Sequence, residues 1–80
     1  MIYVTLLCMS KTPIILGIDP GTQILGYAIL KGGPKPALIT MDVLKMTKEK
    51  DIYARLQMIH ARIIELIETY QPTHFAIEAP

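Results

Sequence analysis

Apolar residues run unbroken through "IILGI" at 14–18, and Asp19 is the first charge after the run. An aliphatic stretch without polar alternation predicts a strand covered on both faces. Pro20-Gly21 ends it, because proline fixes its own φ and glycine supplies turn geometries that other residues resist. A second run, "ILGYAIL" at 24–30, follows after too few residues for a helical crossover, so it pairs antiparallel as a hairpin. "KGGPKP" at 31–36 makes the next turn. "ALITMDVLK" at 37–45 then supplies a third strand and completes a meander.

The period changes after residue 50. Ile52, Leu56, Ile59, Ile63, Leu66 or Ile67, and Tyr70 recur at steps of three and four, with Arg55, Gln57, Arg62, Glu65 and Glu68 on the other side. That pattern predicts an amphipathic helix of about five turns. Gln71-Pro72 stops it. "HFAIEAP" at 74–80 begins another apolar strand, which a helical crossover makes parallel to the first. The fold class is therefore α/β, with a mixed sheet of three antiparallel strands, a crossover helix, and a strand parallel to the first.

Composition changes the picture in one respect. Of 80 residues, 51% are hydrophobic and 19% charged, rich for one small domain that buries only about 60–65% of its chain surface. Such strands and helix expect more protein to cover them, and the chain reads as a fragment of a single domain. The net charge of +1 marks neither a nucleic-acid arm nor an acidic tail. Lys31, Lys35, Lys45, Lys48 and Lys50 do fall in one segment whose only acids are Asp42 and Glu49, which reads as a solvated loop and strand edge with a mild basic bias. The single Cys8 fits a reducing cytoplasm.

The opening "MIYVTLLCMS" lacks a basic n-region and a small-residue cleavage site, and is too short to span a bilayer. Residues 1–13 read as an N-terminal extension to a domain at 14–80. Because Met9 begins a compact "MSKTPIILGID", residues 1–8 read as an added segment or a misplaced start.

The topology puts Asp19 and Glu78 at the carboxyl ends of two parallel strands. Neighbouring strands lie about 4.8 Å apart, so carboxylates at matched heights can share a hard divalent cation with metal–oxygen distances of about 2.1 Å. That spacing suits magnesium. Two like charges in an apolar setting repel and lose hydration, a cost retained for chemistry. Taken singly, Asp19 is an ordinary acid in a turn at a strand end, and Glu78 an edge acid held by backbone donors. His60 lies at the margin of the helix's apolar face. His74 shares a face with Glu78 but stands roughly 13 Å along the strand, and neither histidine is assigned a role. Tyr27 and Tyr70 are core or rim aromatics. Gly17, Gly21 and Gly26 do not form G-x-G-x-x-G, and "GTQILG" lacks the Lys-Ser/Thr of a phosphate loop, so both nucleotide motifs fail.

"ILGIDPGTQILGYAIL" followed by "ARLQMIHARIIELIETYQPTHFAIE" resembles the amino-terminal part of the RuvC family of Holliday-junction resolvases, within the ribonuclease H-like superfamily. The resemblance covers about 14 to 80. It rests on Asp-Pro-Gly-Thr at 19–22, Gly26-Tyr27, Arg55-Leu56, and Pro72 followed by Ala76-Ile77-Glu78. It implies a homodimeric, magnesium-dependent endonuclease of DNA recombination and repair that cuts a four-way DNA junction symmetrically, leaving 5′-phosphate and 3′-hydroxyl ends, with branch-migration helicase partners. It implies four catalytic, metal-binding acids, the first two at Asp19 and Glu78 and the others on a later helix beyond residue 80. Two magnesium ions about 3.5–4 Å apart are expected to serve that chemistry, and this chain alone is expected to be inactive. Lys31, Lys35 and Lys45 can contribute phosphate contacts.

Rival classes remain. An actin-like or sugar-kinase-type ATPase opens with a similar Asp-x-Gly-Thr turn but follows it with Ser/Thr and Lys, where this chain has Ile24-Leu25-Gly26-Tyr27. A non-catalytic nucleic-acid-binding relative has no reason to keep two repelling acids. Related RNA-processing nucleases follow the aspartate with a different turn.

Overall fold

The computed structural model describes residues 2–6 as backbone, and 12–21 and 23–78 with side chains. The alternative start at Met9, the Cys8 thiol and Thr22 of the Asp-Pro-Gly-Thr run lie outside the described residues. The elements run β1 (Ile2–Leu6), β2 (Ile14–Asp19), β3 (Ile24–Lys31), β4 (Ala37–Lys45), α1 (Ile52–Tyr70) and β5 (His74–Glu78). They form a five-stranded sheet in the order β1-β5-β2-β3-β4. β2, β3 and β4 make the antiparallel meander, and β5 returns parallel to β2. Within the segment expected as an extension, β1 pairs antiparallel with the outer side of β5.

β2 lies inside the sheet with a neighbour on each side. Of the two faces its aliphatic run predicts as covered, only that of Leu16 and Ile18 is buried, while Ile15 and Gly17 are half-buried and Asp19 is exposed. Side chains alternate across the sheet. Leu16 and Ile18 of β2, Leu25, Tyr27 and Ile29 of β3, and Leu44 of β4 face α1, which contributes the buried Leu66 and the half-buried Met58, Ile59, Ile63 and Tyr70. Leu16 and Ile29 are fully buried. Gly33 turns between β3 and β4 with φ of 100°, a conformation that side chains disfavour. A bulge between Ile29 and Leu30 lets β4 carry one extra residue, Ile39, before the pairing resumes.

Asp51 caps α1 by accepting from the Tyr53 backbone N–H at 3.2 Å. The far end closes through Gln71, left-handed at φ 49°, whose N–H donates to the Ile67 carbonyl. The buried stripe differs from the expected one in its first turns and at mid-helix. Ile52 and Leu56 are 64% and 55% exposed, because a 19-residue helix runs about 28 Å over a β2 of about 20 Å and its first turns overhang. Arg62, expected on the polar side, lies between Ile59 and Leu66 at helical spacing. Its Nη1 donates to the Tyr27 hydroxyl at 2.6 Å, with the guanidinium 5.6 Å from the ring centroid. Arg55 is likewise half-buried, its Nε donating to the Glu49 carbonyl at 2.6 Å.

One polar residue is buried at the junction of the two parallel strands. Thr73, just before β5, is 4% exposed. Its N–H donates to the Ile14 carbonyl at 2.7 Å, and its Oγ1 accepts from the Ile14 N–H at 2.9 Å. This pair of bonds joins the starts of β2 and β5.

Candidate active site

Asp19 and Glu78 end their strands for local reasons. β2 stops because Pro20 cannot donate to the ladder and Gly21 packs its backbone against Ile24, where a β-carbon would collide with the Ile24 carbonyl oxygen. β5 runs parallel to β2 with Ile15 beside His74, Leu16 beside Phe75, Gly17 beside Ala76 and Ile18 beside Ile77. The same offset brings Asp19 beside Glu78. Leu16 and Ile18 are buried toward α1, so Gly17 and Asp19 face the opposite side of the sheet.

That opposite face holds a trough of about 520 Å³ lined by both acids. Its floor is made of small residues, Gly17, Gly26, Ala28 and Ala76, and one wall by Met41 and Val43. Gly26 lies directly across from Asp19. A β-carbon there would stand 3.7 Å from the Asp19 β-carbon, so the glycine keeps the flank of the carboxylate open. Both acids are exposed rather than enclosed by apolar groups as the sequence suggests. The helix covers the other face, and Met41, Leu38, Ile24 and Val43 are 70%, 55%, 47% and 43% exposed on the acid face or along its outer strand.

The acids fit a hard dication in kind and in spacing, since carboxylate oxygens on strands about 4.8 Å apart can converge on one ion. They fall short in number: among the described residues no group of three or more His, Cys, Asp and Glu side chains forms. His74 faces the acid side at the far end of β5, where its Nδ1 lies 2.8 Å from Thr73 Oγ1, and His60 is exposed on α1. The structure brings neither to the acids. Asp42 turns its carboxylate to the neighbouring Val43 N–H at 2.8 Å, capping an unpaired donor on the edge of β4.

Sequence reasoning misses the roles of Gly26 and of Thr73 at the far end of the strands, and it names Lys45 only as one of three phosphate contacts without placing it. Gly26 reads only as part of a turn motif, although its pairing with Asp19 follows once the hairpin is drawn. Lys45 shares the acid face with Met41 and Val43, which the alternation in "MDVLK" could have indicated. Thr73 leaves no periodic signal. No helix among the described residues is long and apolar enough to cross a membrane.

A mixed sheet with parallel inner strands, one covering helix and two acids on the bare face is the core of a ribonuclease H-like fold. The family model described as crossover junction endodeoxyribonuclease RuvC matches residues 15–79, and the chain belongs to that family. It is 46% identical over 71 residues to a crossover junction endodeoxyribonuclease RuvC from Bacteroides fragilis, covering 88% of this chain and 38% of that protein. A protein of the same description from Christiangramia forsetii is 50% identical over 73 residues, covering 90% and 38%. The solved structure of T. thermophilus RuvC in complex with a Holliday junction substrate superposes with a TM-score of 0.65 at 30% identity, covering 75% of this chain and 38% of that one. The chain thus spans well under half the length of these relatives.

Proposed function

We propose that Asp19 and Glu78 are catalytic, metal-binding residues of a magnesium-dependent endonuclease that resolves four-way DNA junctions in recombination and repair. The observation that carries this reading is their side-by-side placement on β2 and β5, both lining one trough, in a chain of this family. The family-matched part begins near Ile14, and the preceding residues are an extension that adds β1 to the edge of its sheet. Two further acids would come from a segment beyond residue 80, so the 80-residue chain alone is inactive.

Asp19, on the strand flanked by both β3 and β5, and Glu78 would hold the magnesium. When bound, the ions supply an activated water and charge stabilisation for the departing 3′ oxygen. The chain's own residues provide the setting. Gly26 leaves room beside Asp19, and the small floor lets a phosphodiester approach the sheet closely. Thr73 ties the starts of the two strands whose pairing keeps the acids level.

Symmetric cuts in a four-way junction need two equivalent centres, which a two-fold homodimer provides. Branch-migration helicases and a cytoplasmic location complete the reading. The test uses the full-length protein with synthetic four-way junctions. Asp19→Asn is expected to lower cleavage by at least roughly 100-fold, the scale of losing a preorganised electrostatic group, while junction binding persists. Undiminished cleavage by that variant, or ATP turnover without cleavage by the wild type, would reject the proposal.

A further inference from the structure

Of the three lysines that sequence alone offers as phosphate contacts, the fold separates one from the others. Lys31 pairs with Ile14 at the end of the hairpin away from Asp19, and Lys35 lies in the turn beyond it. From Gly26, opposite Asp19, to Lys31 the strand runs roughly 17 Å. Lys45 instead pairs with Ile24, two positions past the Gly26–Val43 pair. It therefore stands on the acid face and at the acid end, two strands over from Asp19, at a Cα separation of roughly 12 Å.

Its base is firmly held. Leu44 and Met46, on either side, are 8% and 1% exposed and point into the core. The Met46 N–H donates to the Gln23 carbonyl at 2.7 Å, fastening the end of β4 to the entrance of β3. The Lys45 side chain is exposed. A strand of DNA laid across the trough with one phosphodiester over Asp19 and Glu78 would carry its next phosphates toward β4. A flexible ammonium suits such a contact, as a point charge without geometric demand.

We infer that Lys45 binds a backbone phosphate adjacent to the cleaved bond and so registers the strand over the acids. This rests on the endonuclease reading of the same site. The experiment measures junction affinity against salt for the full-length wild type, Lys45→Gln, Lys45→Arg and Lys35→Gln, on junctions carrying single neutral methylphosphonates near the cut. Loss of one phosphate contact flattens the slope of log K against log[salt] by about 0.9. Lys45→Gln is expected to show that flattening with an unchanged melting temperature, and Lys45→Arg to restore the slope. One methylphosphonate beside the cut should weaken the wild type as much as Lys45→Gln does, and should not weaken Lys45→Gln further. Lys35→Gln should remain sensitive to that substitution. A wild type that binds junctions while Lys45→Gln keeps its slope, or loses affinity additively with every methylphosphonate, overturns the inference alone. A wild type that binds no junction overturns the endonuclease reading and this contact with it.

Discussion

Gly21 and Gly26 flank the same turn and respond to a methyl group in opposite ways. At Gly21 a β-carbon would meet the rigid Ile24 carbonyl, whereas at Gly26 it would sit at ordinary van der Waals distance from Asp19. Gly21→Ala is therefore expected to destabilise the domain by about 1–3 kcal/mol, the usual cost of forced overpacking, measured by denaturant unfolding of the full-length protein. Gly26→Ala should fold normally and lose cleavage instead, because its methyl narrows the space beside the carboxylate. At this scale the acids themselves were easy to pick out, being isolated charges after apolar runs. Arg62 was not, since a long cation reads as surface in any periodic pattern, yet here it satisfies the Tyr27 hydroxyl from within the packed stripe.

The elements from β2 to β5 were legible because their periods differ so sharply, whereas β1 falls in the segment read as an extension. An unbroken aliphatic run, two turn-bounded returns and a three-four repeat leave little choice of strand or helix, and the crossover makes β5 parallel to β2. What periodicity does not carry is how far α1 overhangs the sheet, which left Ile52 and Leu56 outside the core. Nor does it reveal the buried hydroxyl that ties the starts of the parallel strands together. Thr73→Val leaves the Ile14 N–H without its side-chain acceptor, and a cost of about 1–3 kcal/mol is expected. Thr73→Ser keeps the oxygen and should recover most of it. Thermal or urea melts of the two variants distinguish a hydrogen-bonding role from simple packing.

Across the whole molecule the two faces of the sheet are unequal. One is sealed by α1, and the other presents Met41, Leu38, Ile24 and Val43 to solvent around the trough. Apolar exposure of this kind drives association. The 80-residue chain is expected to self-associate at micromolar concentrations, and Met41→Glu, on an edge strand, to reduce it. Sedimentation velocity at several concentrations reads the difference, and an equally monomeric pair would contradict the expectation. The bare face was foreshadowed by the hydrophobic excess, although no sequence pattern says which face stays bare. The Thr73–Ile14 linkage adds a constraint of another kind. Slippage between β strands comes only in whole-residue steps, and a single step would send Glu78 through to the helix side and bring Ile77 up in its place. Misalignment of the acids is consequently digital rather than graded, and the hydroxyl near the entry of the two strands is one of the bonds that keep their exits face to face.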